Sequence, residues 1–353
     1  MMHITPQAEL SPYHTFSIQT DCDFLVEARS VNDLIEIYRN PDWKDLPKLP
    51  LGTGSNMLFT DYFAGVAVLN RLKGKHVTED ESFYYLEVAA GEDWPELVQW
   101  TVEKGMPGLE NLALIPGCAG TAPIQNIGAY GLELKDVCDF VEYLDLQSFT
   151  VKRLASEQCQ FGYRDSIFKQ ELSGKALITK VGFKLSKDWS PRTAYGALQQ
   201  LIEGEPTAQK IFDAVCQVRQ SKLPDPRVMG NAGSFFKNPV ISSTQFDELK
   251  LHYPSIVGYP AGDGIKVAAG WLIDNANLKG YSHGGARVHD QQALVIVNFN
   301  DATADDVLSV AWHVKQTVWQ KYQIALEHEV RFMGRTQETN LDAIFEGKDN
   351  ERL

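Results

Sequence analysis

Polar and apolar positions alternate between two periods along this chain, and the switches mark its elements. Ser30-Val-Asn-Asp33 has the form of a capping box, and Leu34, Ile35, Ile37 and Tyr38 follow at helical spacing, which predicts a short amphipathic helix. Residues 49–59 read as a strand, a tight Gly loop and a second strand, and residues 66–69 and 84–89 predict further strands. Asp93-Trp-Pro95-Glu96 supplies a cap, an early proline and a first-turn acid for a helix that ends at Gly105. Strands are predicted at 141–146 and 176–185. Pro206-Thr207 opens a helix with Ile211, Phe212, Val215 and Val218 on one face, and its end at Lys222-Leu-Pro224-Asp-Pro226 is the predicted domain boundary. A Gly-rich loop at 230–239, a helix near 268–276 and a strand at 293–298 follow. Thr303 caps a long helix whose apolar stripe is Val307, Leu308, Val310, Ala311, Val314 and Val318. A last strand is expected at 325–332, then a frayed polar tail. With no internal repeat, the mixture predicts an α+β protein.

Composition narrows the class. A chain of 353 residues, 44% hydrophobic and 22% charged, has room for two or three domains with real cores, which excludes a disordered or fibrous protein. The net charge of −13 disfavours a nucleic-acid binder, and any anionic ligand must be met by local cations. The start, MMHITPQAEL, lacks the basic and apolar regions of a signal peptide, and the apolar run at 293–297 is too short to span a bilayer. Cys22, Cys118, Cys138, Cys159 and Cys216 are scattered and form no CxxC, as expected of reduced thiols in a cytoplasmic protein. Eight histidines without ligand spacing predict no metal.

Five segments carry candidate chemistry. Gly52-Thr53-Gly54-Ser55-Asn56 has glycines that allow close backbone approach and a run of N–H groups suited to phosphate, although a hairpin turn fits it equally. It is not a dinucleotide fingerprint, because Met57 stands where a third Gly belongs and strand-like residues follow. Residues 117–131 (GCAGTAPIQNIGAYG) hold no charge, which suits backbone donors and amides around a large planar heterocycle and its pyrophosphate. In Phe161-Gly-Tyr163-Arg164-Asp165-Ser166, the Arg164 fork could anchor a carboxylate or pair with Asp165. In Gly230-Asn-Ala-Gly233-Ser234, Ser234 is either a reactive hydroxyl or a cap. In Glu327-His-Glu329-Val-Arg331, strand alternation puts both acids and Arg331 on one face, as an ion pair or as a tuned acid.

Taken in order, GTGSN, GLENLALIPGCAGTAPIQNIGAYG, FGYRDSIFK, SKLPDP, GNAGSFFKNP, AAGWLID and HEVRF resemble the UDP-N-acetylenolpyruvoylglucosamine reductase (UDP-N-acetylmuramate dehydrogenase) family from about Thr15 to Phe332. Thr-Ala-Tyr195-Gly resembles the subclass in which a tyrosine loop covers the substrate. The resemblance implies an α+β fold with a two-part FAD-binding region of the vanillyl-alcohol-oxidase type and a separate α+β substrate-binding domain. Residues 1–70 and 71–220 would form the two FAD-binding parts and 221–325 the substrate domain, with 326–353 returning a strand to the active site before a polar tail.

The implied activity is NADPH-dependent, FAD-mediated reduction of UDP-N-acetylglucosamine enolpyruvate to UDP-N-acetylmuramate, in a cytoplasmic monomer of peptidoglycan precursor synthesis. Ser234 would be the general acid, with Arg164 and Glu329 stabilising the enolate. FAD would be held by Gly52, Thr53, Gly54, Ser55, Asn56, Pro116, Gly117, Gly120, Thr121, Gln125, Asn126, Gly128, Ala129 and Tyr130. The nucleotide sugar would meet Tyr195, Arg219, Lys222, Asn238 and Gln292. No separate fingerprint for NADPH is present, which points to one site visited in turn and to ping-pong kinetics. One departure is His328, where many relatives have Pro; it is expected to loosen the strand slightly and to tune activity. The alternatives are another FAD-dependent oxidoreductase of the same fold, or a catalytically silent nucleotide-sugar-binding protein.

Overall fold

The structure is a computed structural model and describes residues 3–350. The chain forms two compact units, each discontinuous in sequence. The first contains residues up to Pro6, Phe24–Thr53 and Gly65–Ser221; the second contains Gln7–Asp23, Gly54–Ala64 and the chain from Lys222 onward. The chain therefore leaves one unit and enters the other inside the loop Gly52–Asn56, and again at the start of the Lys222–Pro226 run.

In the first unit the helix Val31–Arg39 has a full capping box, with Ser30 accepting from the Asp33 amide and Asp33 accepting from Ser30. Asp93 caps the helix Trp94–Glu103. A five-stranded antiparallel sheet runs in the order Val151–Ala155, Cys138–Asp145, Ala176–Ser186, Phe83–Ala89, Lys75–Glu79. Its inner face and the helices Trp94–Glu103 and Ala208–Lys222 enclose a core that includes Trp94, Leu97, Val181, Phe183, Ile211 and Val215. A four-stranded sheet has the order Ile4–Glu9, Asp21–Ala28, Phe63–Asn70, Lys48–Leu51. Its last two strands are parallel, and the run Phe63–Asn70 is almost continuously buried, as a covered central strand must be.

The second unit holds a sheet ordered Asn231–Ser234, Val295–Asn298, Ala286–Val288, Ser282–His283. The helix Ala304–Tyr322, capped by Thr303 and Asp306, buries Val307, Leu308, Val310, Ala311, Val314 and Val318. The core around it also contains Phe16, Leu58, Phe235, Phe236 and Phe332. A small antiparallel sheet joins Val240–Ser242, Gly264–Val267 and Gly258–Ala261.

Two expectations at the C-terminal end fail. The strand there is short, Arg331–Met333, and runs parallel to Met57–Phe59. Among the described residues the tail does not fray: Leu341–Asn350 is a helix, held by a Trp312–Phe345 ring stack at 4.6 Å and by Lys315 to Asp342. No helix among the described residues is long and apolar enough to cross a membrane.

Candidate functional site

Each unit assembles its own set of the predicted residues. In the first, Gly52 and the uncharged segment pack backbone on backbone. A Cβ on Gly52 would stand 2.5 Å from Cys118 Sγ and 2.9 Å from the Thr121 methyl carbon. Gly120 likewise has its free side against Ala90, 2.5 Å from where a Cβ would lie. On that side these two glycines allow close approach of protein to protein. Thr121 Oγ1 accepts from the Cys118 amide at 3.1 Å and donates to the Cys118 carbonyl at 2.8 Å, closing the turn. Gly117, Cys118 and Gly120 are buried; Pro116 is exposed; Gln125, Gly128, Ala129 and Tyr130 are partly exposed.

Asn126 is only 1% exposed, and its amide is committed to protein. Nδ2 donates to Glu133 Oε2 at 3.1 Å and to the Gly162 carbonyl at 3.0 Å, and Oδ1 accepts from the Lys135 amide at 3.0 Å. Ser166 Oγ donates to the Ile124 carbonyl at 2.7 Å. These two ties join the uncharged segment to the turn of Arg164. That turn is narrow: the Gly162 amide donates to the Asp165 carbonyl at 3.0 Å, and Arg164 sits at φ 55°. The Asp165 carboxylate accepts from the Gln170 amide and the Ser166 N–H, all at 3.0 Å.

Tyr195, 57% exposed, meets the ring of Tyr130 edge-on at 5.6 Å. The root of its loop is tied down by groups that the sequence did not single out. Buried Glu110 accepts from Trp189 Nε1 at 2.7 Å, and buried Asn111 donates to the carbonyls of Tyr130 and Arg192. Their only signal was a polar pair inside a charge-poor run. Arg219 acts electrostatically on Tyr130. Burial pushes its pKa down and that of Tyr130 up, with Arg219 in part opposing the latter.

In the second unit Gly54 is left-handed at φ 59°, and a Cβ there would lie 2.4 Å from the Tyr13 carbonyl oxygen. The Thr15 amide donates to the Gly54 carbonyl at 3.2 Å. Asn56 reaches Glu329 directly: Nδ2 donates to the Glu329 carbonyl at 3.3 Å, and the Asn56 carbonyl accepts from the Arg331 amide at 3.0 Å. On its other edge the Glu329 amide donates to the Phe235 carbonyl at 2.8 Å, and the Lys237 amide donates to the Glu327 carbonyl at 2.9 Å. Ser234, which is exposed, immediately precedes Phe235. The structure thus gathers Asn56, Ser234 and Glu329, which are far apart in sequence.

Glu327 and Glu329 flank the Phe236–His328 antiparallel bridge, and a bend at Val330 separates them from Arg331. Glu327 pairs with Lys237 at 3.1 Å, and Arg331 forms a two-pronged pair with Glu338 at 3.0 and 2.8 Å. His328 Nδ1 lies 2.7 Å from the Val330 carbonyl, and its ring stacks on Phe332.

Asn238 Oδ1 accepts from the Ala269 amide at 2.9 Å, which leaves its NH₂ to meet a ligand. A Cβ on Gly270 would lie 3.8 Å from Gln292 Oε1, so both predicted amides stand at the start of the helix Ala269–Asn275. Lys222 is exposed. Beside Asn238, the register aligns Val240, Lys266 and Tyr259 in one row, with Tyr259 60% and Val240 53% exposed. An exposed aromatic beside a lysine suits a base and a phosphate; its absence of alternation hid it in the sequence. Two open clefts, of about 260 and 360 Å³, share Thr60 and the acid Asp61 and contain none of the predicted residues. Their acidic walls suit an anionic ligand poorly.

The first unit's residues fit a large, mostly uncharged cofactor. Thr53 Oγ1 and Arg219 Nε are buried without a hydrogen-bond partner among the described residues, and the segment beside them offers neutral donors. No group of three or more His, Cys, Asp or Glu among the described residues is placed to hold a metal.

Known proteins match parts of both units. Residues 22–148 match the family model described as FAD binding domain, and 225–333 match that described as UDP-N-acetylenolpyruvoylglucosamine reductase, C-terminal domain. The chain is 55% identical over 343 residues to UDP-N-acetylenolpyruvoylglucosamine reductase of Vibrio vulnificus, covering 97% of this chain and 99% of that protein. It is 57% identical over 340 residues to the enzyme of the same name from Vibrio cholerae, covering 96% and 98%. The crystal structure of UDP-N-acetylenolpyruvylglucosamine reductase from Thermus caldophilus superposes with a TM-score of 0.66 at 26% identity, over 94% of this chain and all of that one.

Proposed function

This chain belongs to the UDP-N-acetylenolpyruvoylglucosamine reductase family, and from that premise we propose how its own residues carry out the reaction. The protein is a FAD-dependent oxidoreductase that uses NADPH to reduce UDP-N-acetylglucosamine enolpyruvate in peptidoglycan synthesis. FAD, once reduced by NADPH, supplies the electron pair.

The substrate is an enol ether conjugated to a carboxylate, so reduction at its terminal carbon drives negative charge onto the adjacent carbon and the carboxylate. Donors aimed at that charge lower the barrier most. Arg164, held in its turn by Asn126 and Ser166, offers a fixed cationic fork. Glu329 contributes when it holds a proton, because a bare carboxylate would repel the substrate's own. Ser234 delivers a proton to the adjacent carbon. The observation that carries this reading is the pinning of the Glu329 backbone to both the Ser234 loop and Asn56.

Thr53 and the neutral segment 116–130 hold FAD, with Gly52, Gly54, Ser55 and Asn56 shaping the adjoining loop. Tyr195, Arg219, Lys222, Asn238 and Gln292 bind the nucleotide sugar, and Tyr259 with Lys266 extends that surface toward the base and the phosphates. Residues 1–70 and 71–220 are assigned to FAD, 221–325 to substrate, and the chain from 326 to carrying Glu329. The enzyme works in the cytoplasm as a monomer, and NADPH and substrate occupy one site in turn.

The test is anaerobic. Bleaching of the flavin spectrum by NADPH, then its return on addition of UDP-N-acetylglucosamine enolpyruvate, is the expected result. Bleaching without return would overturn the substrate assignment, and a protein that cannot be reconstituted with FAD would overturn the whole reading.

A further inference from the structure

The turn that carries Glu329 is closed by the side chain just before it. His328 Nδ1 lies 2.7 Å from the Val330 carbonyl oxygen. A carbonyl only accepts, so Nδ1 carries the proton and donates. The bond therefore spans Glu329, joining the residue before it to the residue after it. The imidazole lies flat on Phe332, at 4.2 Å between centroids and 6° between planes. Val330 and Phe332 are fully buried, so both anchors of the ring are fixed by the core. Phe236 and His328 form an isolated antiparallel bridge, which ties this turn to the strand-like stretch after Ser234.

We propose that His328 is a positioning residue for Glu329: its imidazole, bonded to Val330 and stacked on Phe332, sets the turn from which the Glu329 carboxyl projects. The inference rests on the reading that Glu329 serves the reduction. The Glu329 amide donates to the Phe235 carbonyl, and the Glu329 carbonyl accepts from the Asn56 side-chain amide at 3.3 Å. The Asn56 bond holds the carbonyl of the 329–330 peptide and the His328 bond holds the carbonyl of the next peptide, 330–331, so the ring fixes the chain where it leaves Glu329. Around the ring stand Lys237 from the chain after Ser234, Lys315 from the helix Ala304–Tyr322, and Asp342 from the helix Leu341–Asn350. Burial chiefly, and the two lysines, favour the neutral ring, while the Val330 carbonyl and Asp342 oppose them. A neutral ring with its proton on Nδ1 is the form that makes the clamp, and protonation of the other nitrogen would leave the bond to Val330 intact. The device is mechanical rather than a pH switch.

A merely apolar role for the ring would be met by phenylalanine, whereas a clamp needs a donor. His328→Phe keeps the stack and removes the donor; His328→Asn keeps a donor and removes the stack. The two half-reactions are followed by anaerobic stopped flow in the FAD-loaded protein. Reduction by NADPH should be unchanged in both variants. Reoxidation by UDP-N-acetylglucosamine enolpyruvate should slow by about 10–100-fold in His328→Phe, the scale of a misplaced catalytic group. His328→Asn should recover to within roughly fivefold of the parent protein, because its donor survives. In a Glu329→Gln background, His328→Phe should add nothing, since it acts through the group already altered. Equal slowing of both half-reactions, normal reoxidation in His328→Phe, or additive effects with Glu329→Gln would each overturn the inference. Failure of the parent protein to reoxidise with this substrate is a separate result, and would overturn the reading beneath it.

Discussion

In the first unit the Arg164 turn is tied to the uncharged segment by side chains, through the buried Asn126 amide to Gly162 and the Ser166 hydroxyl to Ile124. In the second, the Glu329 backbone is tied to the Ser234 loop by one main-chain bond and to Asn56 by one bond from its side-chain amide, both between stretches remote in sequence. A buried amide with every polar atom used resists local opening, because each lost bond leaves an unpaired group. A turn held by isolated bridges depends on the residues at those bridges. The first arrangement suits a permanent cofactor cradle. The second suits a reactive group whose placement small substitutions can tune.

Predictions that break or sharpen this contrast run from large to small. Ser234→Ala should slow flavin reoxidation by ~10²–10⁴-fold, the usual contribution of a general acid, and spare reduction by NADPH. Because Ser234 is exposed, thermal unfolding should not change, which separates chemistry from folding. Equal slowing of both half-reactions would remove Ser234 as the acid. The next prediction concerns His14 in the second unit, 3% exposed, with Nε2 bonded to the Ile18 carbonyl at 3.0 Å. Burial lowers its pKa from 6.5 to about 4. The unfolded chain therefore binds this proton more tightly than the folded one, so stability is full above pH 6.5 and falls as pH drops toward 4. The loss approaches about 3 kcal/mol below that range. Urea melts of His14→Gln should show a flatter acid limb, and an unchanged limb would mean other groups set it. In the first unit Asn126→Ala strips the Lys135 amide of its partner and leaves the Gly162 carbonyl only the 3.4 Å bond from the Asp165 amide. It should cost about 2–3 kcal/mol of stability in chemical denaturation. It should also slow reoxidation through the Arg164 turn; a loss of stability without a kinetic effect would uncouple clamp from chemistry.

The fold was legible wherever its signals were local. Capping boxes at Ser30 and Thr303 and the Asp93 cap with Pro95 placed three helices to within a residue or two. The C-terminal helix was missed because its anchors, Trp312 with Phe345 and Lys315 with Asp342, are contacts across many residues of chain. The small sheet around Lys266 was missed because its strands are three or four residues long and bury only Val267. The site motifs were visible as unusual composition, but what holds them was not. Nothing near Asn126 in sequence announces that its amide caps Gly162. The strand at 325–332 was misread because alternation assumes one continuous strand, and the chain bends at Val330 between the Phe236–His328 bridge and the strand Arg331–Met333.

That misreading makes the smallest prediction informative. Sequence alternation placed Arg331 beside Glu329, yet its guanidinium pairs with Glu338 in a partly exposed, two-pronged contact at 3.0 and 2.8 Å. Exposed pairs of this kind contribute roughly 0–1 kcal/mol, since water and salt screen them and two long side chains lose freedom. Arg331→Ala should therefore lower stability by no more than that and leave both half-reactions within about twofold of the parent protein. The Arg331 amide, which donates to Asn56, survives the substitution, so the turn of Glu329 keeps that anchor. Strong slowing of reoxidation in Arg331→Ala would instead mean that the side chain tunes Glu329 after all, and that the second unit's reactive turn depends on charge as well as on its main-chain bridges.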